Sequence, residues 1–299
     1  ISHERKDFNL FLEKISLPNE RKNGSYNESI LVDGMWDNAC QWFRYSLVRK
    51  ALKLYNYEEV GLIGKWNKKK AITTFKDLKI NNFVNFNPEK IGKKIFFEAY
   101  KLIKTFNKPD DIISYKWPNK VPGALIYDHL LLIQRKPIVD LKDKNFCYQI
   151  AFILNAFNQS NELFKRKKIK TIFLSHIFPA HYLALISTAL SLKINVIIIY
   201  SSFGALRLMR MKRIEDYKLY AQPPSRKDWL NSIKSSEKTF YNIGKKYLSK
   251  RIKGQASDLG SQLTYTNERK FSKNFIKKKY NWIENKPIIG IYCAQWFDT

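Results

Sequence analysis

The sequence predicts an α/β protein: a mainly parallel sheet flanked by helices. Three observations carry this. Thr171–Gly204 reads as strand, helix, strand, with an apolar run at Thr171–Leu174, helical spacing of Tyr182, Leu183, Ile186, Ala189 and Leu190, and a Val/Ile run from Asn195 to Tyr200. Continuous β-branched runs suit strands covered on both faces, and a strand–helix–strand unit of this length is a right-handed crossover between parallel strands. Strand-like runs elsewhere alternate with helical periodicities, and no repeat of solenoid period interrupts them.

Residues 1–28 are polar, with a short helix expected around Phe8–Ile15. Ser29–Val32 is a strand running into Asp33-Gly34. Trp36–Tyr55 is an amphipathic helix with Trp42, Tyr45, Leu47, Leu52 and Leu54 on its apolar positions. Glu59–Ile63 is the next strand, Ala71–Leu78 a helix and Phe83–Phe86 a short extended piece. Pro88 opens the approach to a helix over Ile91–Phe106, and Asp110-Asp111 cap a short element. Pro118–Asp128 (PNKVPGALIYD) is an apolar segment ending in Asp128-His129. Phe146–Phe164 is a long helix, followed by the basic stretch Lys165–Lys170 and the strand–helix–strand unit. Ala205–Ile214 is a cationic segment with Arg207, Arg210, Lys212 and Arg213. Arg226–Lys250 and Phe271–Trp282 read as basic helices, the first broken near Ser235-Ser236. Pro287 introduces a final strand, IIGIYC. The domain division is 1–28 as an extension, 29–265 as one lobe, and 266–299 as a linker helix with the first strand of a further lobe. The start at Ile1 and that last strand imply a fragment.

The chain is rich in core-forming residues, 44% apolar and 15% aromatic, which excludes global disorder. Its 54 Lys and Arg against 26 Asp and Glu leave a net charge of +28, so its partners are anionic: phosphorylated substrates, an anionic membrane face or nucleic acid. Three distant cysteines without a CxxC pair argue against both a zinc site and a disulfide framework. No apolar run reaches the roughly 20 residues that span a bilayer, and no signal peptide is visible.

In parallel strands the carboxyl ends share one rim, where open α/β sheets bind ligands. Several candidate residues fall there. Asp33 ends a strand, as a general base, a holder of a substrate hydroxyl, or a turn or N-cap aspartate. His176 ends a buried strand, where an imidazole of near-neutral pKa removes a hydroxyl proton or else bonds to backbone in the core. His181 follows five residues later, a spacing that does not place two imidazoles on one helix face, so a metal is disfavoured. Asp128, with Tyr127 and His129 beside it, offers a second carboxylate, or a helix-interior residue. Ser201, Ser202 and Gly204 with Arg207 form either an anion cradle or a solvated basic turn. There is neither a Walker loop nor a GxGxxG. The lysine runs at 68–70, 165–168 and 277–279 occur without any helix-turn-helix, zinc-finger or RNP pattern, which disfavours nucleic acid.

The stretches DGMWDNACQWFRYSLVRKAL (33–52), EVGLIGK (59–65), PGALIYDHLL (122–131) and FLSHIFPAHYLAL (173–185) occur in an order that resembles a bacterial family. Its members are surface-carbohydrate and capsule biosynthesis proteins regarded as two-lobed, GT-B-like glycosyltransferases. The resemblance covers roughly residues 29–299. Gly123, Ile126, Tyr127 and Asp128 match its pattern; Ala124 stands where that pattern has an acid and Leu132 near its arginine. The resemblance implies a Rossmann-like N-terminal lobe that binds a glycan or lipid-linked acceptor. A nucleotide sugar, held mainly by the other lobe, is then the donor substrate, with no other cofactor.

The expectation is therefore a sugar transferase of surface polysaccharide or lipopolysaccharide synthesis. His176 or Asp128 is the base, and Asp33 and Arg207 position acceptor or phosphate. No DxD motif is present, so no metal is expected; residues 1–299 alone are expected to be inactive. Its place is cytoplasmic, peripheral at the inner face of the cytoplasmic membrane, where anionic lipids attract Lys and Arg. The competing expectation is a non-enzymatic basic α/β module that binds a nucleotide or nucleic acid. Scattered lysines beside a rim of Asp and His favour the enzyme; one contiguous cationic face favours the module.

Overall fold

The architecture is that of a computed structural model, which describes residues 28–36, 39–65, 68–202, 205–219 and 236–252, with residues 10, 12–13, 230–231 and 278–279 besides. The chain divides into two compact units, the second spanning Pro223–Gln295. Within the second unit the principal described element is one basic helix, Glu237–Ile252. The strand expected at residues 288–293, the helix at 271–282, most of the 1–28 extension and Gly204 lie outside the described residues.

The first unit is a Rossmann-like α/β fold. Its strands are β1 (Ser29–Asp33), β2 (Glu58–Ile63), β3 (Asn82–Asn85), β4 (Ile169–Leu174), β5 (Asn195–Ser202) and β6 (Ala205–Met211), in the spatial order β3-β2-β1-β4-β5-β6. The first five are parallel, and β6 pairs antiparallel with β5. Chain order runs outward from β1 in one direction and from β4 in the other. The gap between β1 and β4 is thus the topological switch point, whose carboxyl edge is the usual ligand site of such sheets.

Side-chain alternation along the strands builds two cores. Ile30 and Val32 of β1 and Phe173 of β4 pack under α1 (Ala39–Ala51) and α2 (Lys68–Asp77), through Trp42, Tyr45, Val48, Ala71 and Phe75. Leu31, Leu62, Ile172, Leu174 and Ile198 face the opposite side. There they meet α3 (Lys93–Ile103), α4 (Asp110–Ser114), α5 (Gly123–Gln134), α6 (Phe146–Arg166) and α7 (Ala180–Ser191). Neighbouring residues on one strand thus feed opposite cores, which is why these strands read as unbroken apolar runs rather than alternating ones.

At the amino edge, α1 and β2 share a closed polar cluster. Arg49, with no exposed surface, lies with Nε 2.8 and 2.7 Å from the two Glu59 carboxylate oxygens and Nη2 2.6 Å from Oε2. The Tyr45 hydroxyl donates to the same carboxylate at 2.5 Å. Burial, then the Glu59 charge, holds the Tyr45 hydroxyl well above its ordinary pKa.

One sequence expectation changes. The PGALIYD stretch is not a segment ending at Asp128-His129; α5 runs straight through both residues to Gln134. Its Gly123 is dictated by packing, because a Cβ there would stand 2.2 Å from the Ile113 carbonyl oxygen of α4. The cationic segment from Ala205, for which the sequence suggests no element, forms strand β6, with Arg207 paired opposite Tyr200. Among the described residues no helix is long and apolar enough to cross a membrane.

Removing one member of a buried ion pair strands the other charge. Arg49→Leu should therefore cost about 3–5 kcal/mol in urea unfolding. The double variant Arg49→Leu/Glu59→Met should recover most of that loss.

Candidate functional site

Strand β1 delivers Asp33 to the switch point, and β4 delivers Ser175 and His176 beside it. Val32 pairs with Phe173, so the residues that follow emerge together at the carboxyl edge. Chain direction turns sharply after Asp33. Gly34 donates its amide to the Leu62 carbonyl at 2.9 Å, and a Cβ on it would press to 2.4 Å from the Phe75 ring. Only glycine allows the backbone to pass there.

Asp33 is 5% exposed and accepts hydrogen bonds on both oxygens. Oδ1 accepts the Met35 amide at 2.9 Å, an Asx-type turn. Oδ2 accepts the Ser175 amide at 3.0 Å, the Tyr182 hydroxyl of α7 at 3.0 Å and the Ser175 hydroxyl. Asp33 is therefore neither an N-cap, since α1 begins only at Ala39, nor an open base. It is an acceptor that locks β1, β4 and α7 together.

The Ser175 hydroxyl has a single proton, and that proton goes to Asp33. Its oxygen also lies 2.6 Å from His176 Nδ1. With the proton already spent, Ser175 can only accept there, so the network assigns the hydrogen to His176 Nδ1 and the ring lone pair to Nε2. Burial lowers the His176 pKa below its ordinary value; the nearby Asp33 charge opposes this, and Arg44 adds to it. The partly exposed imidazole is therefore neutral near pH 7, with its ring lone pair on Nε2.

Aromatic rings surround this imidazole. Trp36, 37% exposed, sits with its ring centroid 5.0 Å from that of His176, and Tyr182 lies at 5.5 Å. Tyr182 continues to His181 at 4.7 Å, His181 to Phe152 at 6.2 Å, and Phe152 stacks on His129 at 6.0 Å. The Phe178–Pro179 peptide, between His176 and α7, is cis, and the Phe178 ring meets His129 edge-on at 6.0 Å. Burial depresses His181 to about 4 and His129 to about 3. His129 is 3% exposed and neither ring nitrogen has a hydrogen-bond partner.

The candidates named from the sequence thus separate. Asp33 and His176 meet through Ser175, and His181 joins them across Tyr182. Asp128 does not join them as a rim carboxylate: it is on an exposed position in the middle of α5, with its pKa raised by partial burial. His129 is a core ring and is shut off from any substrate. Tyr127 accepts the Val139 amide at 3.3 Å and pins the loop after α5. Ser201 and Ser202 end β5, paired opposite Leu206 and Ala205. Arg207 is on the edge strand, two strands from β4, or about 10 Å at ordinary strand spacing. The anion cradle expected from Ser201, Ser202 and Gly204 with Arg207 includes Gly204, which lies outside the described residues, while Arg207 itself lies on β6.

Sequence reading missed Ser175, Trp36 and Tyr182 as site residues. Tyr182 looked like one more apolar member of α7, and only its hydroxyl bond to Asp33 separates it from the core. Among the described residues no three His, Cys, Asp or Glu side chains converge as a cation site. A shallow groove of about 290 Å³ between β3 and α6, lined by Val84, Asn85, Gln159, Glu162 and Arg166 among others, holds none of the switch-point residues. Asp33, Ser175 and His176 lie together at the switch point, where hydrogen bonding and topology coincide.

Ser175→Ala should release the tautomer: long-range proton–nitrogen NMR should show the Nδ1–H form of His176 in the native protein and a growing Nε2–H population in the variant. His129 supplies a second measurement. Its folded pKa of about 3 lies below the ordinary 6.5, so the unfolded chain binds the extra proton between these values. Its contribution is complete above pH 6.5 and is lost as pH falls toward 3. Between pH 7 and pH 5 the native protein should lose about 2 kcal/mol more in urea unfolding than His129→Phe does.

Compared with protein-family models, curated proteins and solved structures, the chain finds no match.

Proposed function

We propose that the chain is the acceptor-binding lobe of a glycosyltransferase that builds a bacterial surface polysaccharide or lipopolysaccharide. One observation carries the reading: a neutral imidazole at the switch point, His176, whose Nδ1–H is held by Ser175 and Asp33 so that Nε2 is left as a base. Its neighbour Trp36 gives an exposed aromatic face next to that base, the kind of surface on which the apolar face of a sugar ring stacks.

In this reading Nε2 removes the proton of an acceptor hydroxyl as its oxygen attacks the anomeric carbon of a nucleotide sugar. The new C–O bond forms as the bond from that carbon to the donor phosphate breaks, and the nucleotide leaves with the electron pair. Ser175 and Asp33 are positioning residues that fix the ring. The donor is a nucleotide sugar held mainly by a second lobe, and the acceptor is a glycan or a lipid-linked glycan. The work is then done on the cytoplasmic side of the inner membrane.

The arrangement of cations supports an enzyme over a nucleic-acid module. The lysine run at 68–70 opens α2 at the carboxyl edge of the sheet, whereas 165–168 closes α6 at the amino edge, so the two do not form one continuous face.

The test is sugar transfer by the native full-length protein, from a panel of labelled nucleotide sugars to lipid-linked and free glycan acceptors. His176→Ala should lower turnover by roughly two to four orders of magnitude with the fold intact. Normal turnover in that variant removes His176 from the chemistry. Absence of transfer, with stoichiometric binding of a nucleotide or RNA instead, favours the binding module.

A further inference from the structure

Helix α3 has a face that its fold leaves unused. It packs on α6 and the core through Ala99, fully buried, and through Leu102 and Ile103, half-buried. On the other side Phe96, Phe97 and Tyr100 are 44%, 56% and 45% exposed. At 100° per residue these three rings fall within a sector about 100° wide, a stripe that a water-facing helix has no reason to keep.

The stripe is framed by charge of one sign. Lys93, Lys94, Lys101 and Lys104 all belong to α3 or its C-cap and are exposed, against a single acid, Glu98. The Lys101 ammonium lies 4.5 Å from the centroid of Phe97, and that of Lys104 lies 4.2 Å from Tyr100. Each ammonium thus lies over the face of an exposed ring, so cation and aromatic surface share one patch. Aromatic rings at headgroup depth with lysines at the phosphates are the arrangement of a helix lying in a membrane interface. A nucleic acid would want cations along a groove, and a protein partner a patch with few lysines at its centre.

We infer that α3 is a membrane-docking surface that seats the chain on an anionic bilayer, with Phe96, Phe97 and Tyr100 in the headgroup region and the four lysines on the phosphates. The inference is independent of the chemistry at the switch point. Docking of this kind is reversible: 11 residues of helix supply three aromatic insertions and a short-range attraction that salt screens.

The experiment is co-sedimentation of the full chain with vesicles of phosphatidylcholine and phosphatidylglycerol at about three parts to one, and with pure phosphatidylcholine. Wild-type protein should pellet with the mixed vesicles, not with the neutral ones, and should be released at about 0.5 M salt. Phe96→Ser/Phe97→Ser/Tyr100→Ser keeps every charge and should lower the partition constant roughly tenfold or more. Lys93→Gln/Lys101→Gln/Lys104→Gln keeps every ring and should lower it comparably. Unfolding curves matching the wild type show that both variants are folded. Unchanged binding of the serine variant overturns the inference, because charge elsewhere on a chain of net +28 would then be doing the binding. Equal binding to both vesicle types, or no binding, overturns it as well. So does a wild-type dimer that the serine substitutions convert to monomer without any effect on vesicles.

Discussion

The hydrogen-bonded carboxylate of Asp33 is the constraint on which the carboxyl edge depends. A buried carboxylate without compensation costs several kcal/mol. Here compensation comes from N–H and O–H groups of three separate elements: the turn after β1, the end of β4 and helix α7. Charge-assisted bonds of this kind contribute roughly 1.5–3 kcal/mol each, and all must be made together if the charge is to stay buried. The geometry of the switch point follows. β1 and β4 must end in register, α7 must bring Tyr182 down to the edge, and Ser175 must turn its proton inward. The orientation of His176 is the last consequence in that chain.

The two edges of the sheet carry buried polar clusters of opposite character. At the amino edge, Arg49, Glu59 and Tyr45 form an ion pair with a capping hydroxyl and hardly any exposed surface. That cluster joins α1 to β2 and is closed. At the carboxyl edge the carboxylate is satisfied by neutral donors, and the network ends on a partly exposed imidazole. A ring lone pair at the partly exposed end of a network is a chemical handle; a fully buried ion pair is not.

Burial sets the electrostatics of the ring cluster. His129 and His181 are held neutral far below their ordinary pKa, and His176 is shifted the same way. The described residues at the switch point thus form a lightly charged, aromatic environment, although the chain as a whole is strongly basic. Apart from Arg44, which acts on His176, cations of the described residues gather at helix ends, on β6 and on the outward face of α3.

The sequence by itself determined the sheet and most of its helices. Runs such as Asn195–Tyr200 are too apolar for any place but a two-sided core, and period-3.6 patterns such as Phe146–Phe164 bury only one stripe. It also placed Asp33 and His176 at strand ends, because parallel strands share a carboxyl rim. Tertiary structure alone decided what those residues are. Asp33 became an acceptor because Ser175 and Tyr182, 142 and 149 residues away, supply its donors. Asp128 and His129, adjacent in sequence, parted company because the 100° step between them on α5 carries one to solvent and the other to the core, and no strand ended there to bring the carboxylate to the rim. Arg207 was carried to the sheet edge by a hairpin whose antiparallel pairing left no mark in a short cationic run. Local pattern records which face of an element is buried; which distant donor meets which acceptor depends on packing between elements, and that is not written in any one segment.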